Sequence, residues 1–134
     1  MRVLFRPALL LAAVSTMLLA FQCGDDEPQP TCVGGTVLGA HCGSPSGNYG
    51  YVLEVPADYP TSVSWTDPAT GTNYKHVVTA LNLPTDLQRA GHKVYFVSHP
   101  ATNAELAALG VRTADCPAPP LPVTLESVNS TPCQ

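Results

Sequence analysis

The residues of this chain with reactive potential are five cysteines, four histidines and a few serines and carboxylates. The cysteines are Cys23, Cys32, Cys42, Cys116 and Cys133. In an oxidising compartment cysteines of this kind close disulfides, and the last four form an even set, two near each end of a segment about 102 residues long. Four cysteines allow three pairings. A local Cys32–Cys42 bridge is disfavoured because a strand is expected between them, and ten extended residues hold their ends about 33 Å apart. Bridges joining early to late cysteines are therefore expected, with two such pairings open. Metal binding is not expected: Cys32-x9-Cys42 and Cys116-x16-Cys133 contain no C-x2-C knuckle. His41, His76, His92 and His99 show no helical i, i+4 pair. No catalytic residue, metal or other cofactor is assigned. Gly43-Ser44-Pro45-Ser46-Gly47 has proline where a nucleophile elbow needs its serine. Glu54 and Glu126 are the acids that fall inside expected strands, and the alternation around Glu54 turns it to solvent. Oxidised sulfur is not a nucleophile.

Aromatic residues give the remaining hint. Tyr49, Tyr51, Tyr59, Trp65 and Tyr74 fall around turns in the first half of the chain. Aromatics beside loops give large contact area at low entropic cost, so these five form a candidate binding surface; the competing reading places Tyr51 and Trp65 in the core.

These groups must be positioned by a β-rich domain. Strands are expected at Thr36–Ala40, Gly50–Val55, Tyr74–Leu83, Lys93–Ser98 and Val123–Val128, with a short edge strand at Val63–Trp65. Thr85–Ala90 can form one helical turn closed by Gly91. Thr102-Asn103-Ala104-Glu105 spells a capping box opening a two-turn helix that ends at Gly110. The expected fold is mostly β: a small five-stranded antiparallel barrel, OB-like, or a sandwich, with one short helix. In an OB barrel the helix sits between the third and fourth strands, whereas here it comes one strand later.

The first residues carry a different signal. Arg2 and Arg6 precede an apolar run from Ala8 to Leu19, too short for a comfortable membrane span and without a basic stop-transfer flank. The chain is read as a signal peptide at 1–22, a disordered acidic tether at 23–31 and a disulfide-braced β domain at 32–134. Removing Arg2 and Arg6 leaves four basic residues against ten acidic ones, a net charge near −6. Such a balance cannot neutralise a row of phosphates, so nucleic acid is not an expected partner.

The stretch Leu19-Ala20-Phe21-Gln22-Cys23-Gly24-Asp25-Asp26-Glu27 resembles a bacterial lipoprotein signal. It departs from the usual pattern at Gln22, where a small residue is customary. The acidic run after the cysteine resembles lipoproteins of the Bacteroidetes group, as does the strand–turn–strand element Leu83-Pro84 through Gly91-His92-Lys93-Val94-Tyr95-Phe96. The resemblance implies that Cys23 is lipidated and that the protein is held at the outer membrane, facing the periplasm or the cell surface. It brings no catalytic residue. The expected function is a non-catalytic envelope lipoprotein, a small β module that binds an envelope protein or glycan or serves a structural role. The alternatives are a small envelope metal-dependent hydrolase built on the histidines and strand acids, or a tethered inhibitor or immunity-type protein.

Overall fold

A computed structural model describes residues 31–43, 49–110 and 115–134. The expected signal peptide, most of the acidic tether and Cys23 lie outside the described residues.

Among the described residues six strands form one sheet: β1 (Val33–Ala40), β2 (Tyr51–Glu54), β3 (Val63–Thr66), β4 (Asn73–Ala80), β5 (Lys93–Pro100) and β6 (Pro122–Asn129). Helix α1 (Asn103–Ala108) links β5 to β6, and single 3-10 turns occupy His41–Gly43 and Thr85–Leu87. The sheet runs β2-β1-β5-β6-β4-β3, and an added β2–β4 pairing closes five strands into a ring from which β3 hangs as a hairpin partner of β4. The result is a closed barrel, as expected, but a mixed one. β4 and β6 run parallel, through Thr79↔Pro122 and Ala80↔Val123, where an all-antiparallel ring was expected. Parallel strands need a long crossover. β5 and α1 provide it, carrying the chain out and back between β4 and β6.

Alternation explains the inward face. Val37, Tyr51, Leu53, Val78, Ala80, Val94, Phe96, Val123 and Leu125 meet in one buried cluster. Phe96 and Leu53 are its largest fully buried side chains, each stabilising the fold by about 1.5–3 kcal/mol relative to exposure. Gly34 and Gly35 fall inside β1, although the strand was expected to begin after them. A Cβ on Gly34 would stand 3.0 Å from the Tyr95 ring, and one on Gly35 would stand 3.1 Å from the Glu54 carbonyl and from Phe96. The glycines are thus the means by which β1 lies close against its neighbours.

β4 ends at Ala80 rather than Leu83, because the polar side chain of Asn82 takes over the pairing. Its amide nitrogen donates to the Leu125 carbonyl at 2.9 Å and its oxygen accepts from the Leu125 N–H at 2.8 Å. A side-chain amide here replaces a peptide unit. The helix begins as expected: Thr102 accepts from the Glu105 N–H at 3.3 Å, and Glu105 accepts from the Thr102 N–H at 2.7 Å.

Among the described residues two disulfides join early to late cysteines, Cys32–Cys133 and Cys42–Cys116. β1 lies between Cys32 and Cys42, which is why a local bridge is impossible. Among the described residues no helix is long and apolar enough to cross a membrane.

Candidate functional site

The Cys42–Cys116 bridge ties the β1–β2 turn to the connector that leads into β6. Counting the five ring strands in chain order, these are the loops between the first and second and between the fourth and fifth. The β3–β4 hairpin rises beside them. Together they frame a groove of about 720 Å³ whose lining includes His41, Cys42, Trp65, Asp67, Asp115 and Pro117. A second, smaller hollow of about 330 Å³ lies along β1, beside Glu54, Lys93 and Tyr95.

Each wall has a local cause. Trp65 and Tyr74 face each other across the hairpin and stack, with ring centroids 6.2 Å apart and planes 23° from parallel. Asp67 shapes the hairpin turn by accepting from the Ala69 N–H at 2.9 Å and the Thr70 hydroxyl at 2.8 Å. Those donors, the backbone one first, hold its carboxyl below the ordinary aspartate range. The groove thus carries a fixed negative charge at the hairpin. Gly50, at the exit from the β1–β2 turn, has φ +87°, and a Cβ there would stand 2.7 Å from the Ala80 carbonyl. Only glycine fits.

His41 forms the floor and is 4% exposed. Its Nε2 lies 3.0 Å from the Pro117 carbonyl. A carbonyl only accepts, so Nε2 donates, and a neutral ring bonded in this way carries its lone pair on Nδ1. That atom is buried with no hydrogen-bond partner. A ring nitrogen of His41 and the sulfurs of Cys42 and Cys116 lie within 4.8 Å of one another. With the sulfurs bonded to each other, neither is a thiolate, and the trio is not a ligand set in the oxidised protein. Cys42 itself has a left-handed backbone, φ 63°.

The aromatic residues named from the sequence are not brought to one surface. Trp65, backed by Tyr74, lines the groove, and Tyr49 is half-buried just before β2. Tyr51 is 8% exposed and belongs to the core. Tyr59 packs against that core, with its ring 6.4 Å from Phe96 and its hydroxyl 2.7 Å from Ser98 Oγ.

The histidines occupy separate settings. His76 Nδ1 meets Ser62 Oγ at 3.0 Å, and His92 is exposed before β5. His99 lies between two acids, with Nδ1 3.0 Å from Glu126 and Nε2 3.3 Å from Glu105. Glu126 reaches it because the β5–β6 register shifts there: Ser127 pairs Val97 and Leu125 pairs Ser98, leaving Glu126 unpaired in a bulge. The Glu126 hydrogen bond, and then Glu105, raise the His99 pKa. Hydrogen bonds from Thr102 lower the Glu105 pKa to about 2. The trio latches α1 onto β5 and β6. Glu54 is exposed, as the alternation required.

The fold and site define a small, closed, mixed β-barrel with a groove stapled by a disulfide. Compared with known proteins, the chain matches no family model and no curated protein. The placement of His41 against the bridge was not legible beforehand. The adjacent pair His41-Cys42 was its sequence signal, but the third member lies 74 residues on from Cys42.

Proposed function

We propose that this protein is an exported, lipid-anchored barrel that presents its stapled groove to an envelope protein or glycan, without catalysis. The observation that carries this reading is the Cys42–Cys116 bridge, which joins the two loops that frame the groove. OB-like barrels bind ligands through the corresponding pair of loops, and a covalent tie between them reduces the ordering cost of binding. The likeness to that fold supports a binding site by analogy. Disulfides also accord with export, since they persist in oxidising compartments and rarely in the cytosol. The signal-like start and Cys23 supply the anchor, with further acyl chains giving firm attachment where one alone holds marginally.

Two measurements test it. Radiolabelled palmitate should enter the wild type and not Cys23→Ser, and an unlabelled wild type refutes the anchor. Trp65 is the single tryptophan of the chain and lines the groove, so its emission reports occupancy directly. Saturable change on titration with solubilised envelope glycan or envelope protein fractions, lost in Trp65→Phe by a second binding assay, is expected. A flat titration across those fractions refutes the binding role.

A further inference from the structure

We propose that opening the Cys42–Cys116 bridge creates a zinc site whose protein ligands are Cys42 Sγ, Cys116 Sγ and His41 Nδ1. This goes beyond the groove's role in binding a partner and does not depend on it. The three residues already converge: one ring nitrogen and both sulfurs lie within 4.8 Å of one another. Tetrahedral zinc with bonds near 2.3 Å to sulfur and 2.0–2.1 Å to nitrogen sets its sulfurs about 3.8 Å apart and its nitrogen about 3.6 Å from each. Converting the bridge into such a site therefore asks the two sulfurs to part and the imidazole to turn its free lone pair toward them.

The imidazole supplies the independent sign of a ligand site. His41 is 4% exposed, yet Nδ1 has no partner, which is an uncommon state for a buried polar atom. The other ring nitrogen is tied at 3.0 Å to the Pro117 carbonyl. Metal-binding histidines are held in this way, with the far N–H on a carbonyl fixing the tautomer and the ring plane. The bridge opens by exchange with a dithiol: the two electrons that reduce the Cys42–Cys116 bond leave the reductant as a disulfide, and two thiols remain. Zinc then displaces one proton from each thiol. Two thiolates and an imidazole leave the fourth position to water on the groove side.

The test uses the full chain in a Cys23→Ser background, so that the fifth sulfur does not compete. Reduced protein is titrated with Zn²⁺ against a chromophoric chelator, with Co²⁺ as the spectroscopic probe and far-UV circular dichroism following the barrel. One equivalent of zinc per reduced chain is expected, none per oxidised chain, and Co²⁺ should give the intense visible bands of a tetrahedral thiolate site. Cys32→Ser/Cys133→Ser should keep the site and Cys42→Ser/Cys116→Ser should lose it. His41→Gln should weaken zinc by more than the about 10–100-fold that loss of an outer-shell partner costs. Stoichiometric uptake that survives in Cys42→Ser/Cys116→Ser, uptake unchanged in His41→Gln, or a reduced chain that at micromolar zinc takes up no metal, whether it holds the circular dichroism of the barrel or fails to regain it, overturns the assignment.

Discussion

Removing each disulfide singly and then both together should reveal that the bridges are coupled. Their sequence separations are 101 and 74 residues, and the shorter loop is nested inside the longer. In the chain-entropy account, either closure made alone removes about 4.5–4.7 kcal/mol of freedom from the unfolded chain at 25 °C. Once Cys32 is tied to Cys133, Cys42 and Cys116 sit on a ring. They are separated by 74 residues one way and by the flanking segments, about 27 residues, the other. An ideal ring of that division behaves like an open loop of about 20 residues, so the second closure adds only about 3.3 kcal/mol. Replacing either pair by alanine should then cost about 3.3–3.5 kcal/mol, and replacing both about 8. The excess over additivity is about 1 kcal/mol. The double variant approaches the whole stability expected of a domain this size. Urea titrations of the oxidised wild type, Cys32→Ala/Cys133→Ala, Cys42→Ala/Cys116→Ala and the quadruple variant read these values from midpoints and slopes. Each single-bridge variant should also melt roughly 13–28 °C lower than the wild type. Costs that add, or a bridge whose loss leaves the midpoint unchanged, refute the nested-loop reasoning.

Three further predictions rest on other parts of the barrel. The His99 pKa is raised above 6.5, so its share of stability is full below about 6.5 and is lost as pH rises through the folded value. That of Glu105, lowered from 4.5 to about 2, is full above about 4.5 and is lost as pH falls toward 2. An NMR titration should place His99 above 6.5 and Glu126→Gln should bring it down; a wild-type value at or below 6.5 contradicts the latch. Gly50→Ala combines a left-handed backbone with a 2.7 Å approach to the Ala80 carbonyl and should cost at least about 1–3 kcal/mol, which denaturant unfolding would show; a neutral substitution refutes the close contact. Asn82→Ala strands the Leu125 N–H and carbonyl and should cost about 2–3 kcal/mol, with hydrogen exchange quickened at Leu125; unchanged exchange there refutes the pairing.

Much of this architecture could be read from residue order because its strands announce themselves through alternation. Tyr51, Leu53 and Val55 face inward together, and Thr102 to Glu105 spelled the helix start. What could not be read depends on distant partners. Alternation sends Val52 to the outer face, yet it is 1% exposed. Its cross-strand partner Thr79 donates to the Pro120 carbonyl at 2.6 Å, which brings the proline-dense connector onto the face they share. The parallel β4–β6 pairing was equally hidden, since nothing local distinguishes it from an antiparallel one. The groove was half legible. Trp65 was singled out, but His41 and Asp67 gained their place only when three separated loops met.

The position of the two bridges along β1 has a geometric outcome. Cys32 immediately precedes that eight-residue strand and Cys42 follows two residues after its end, so the sulfur staples sit about 30 Å apart at opposite poles of the barrel. Cys32, where the described chain enters the barrel, therefore lies at the pole away from Trp65 and His41, and the groove opens at the other.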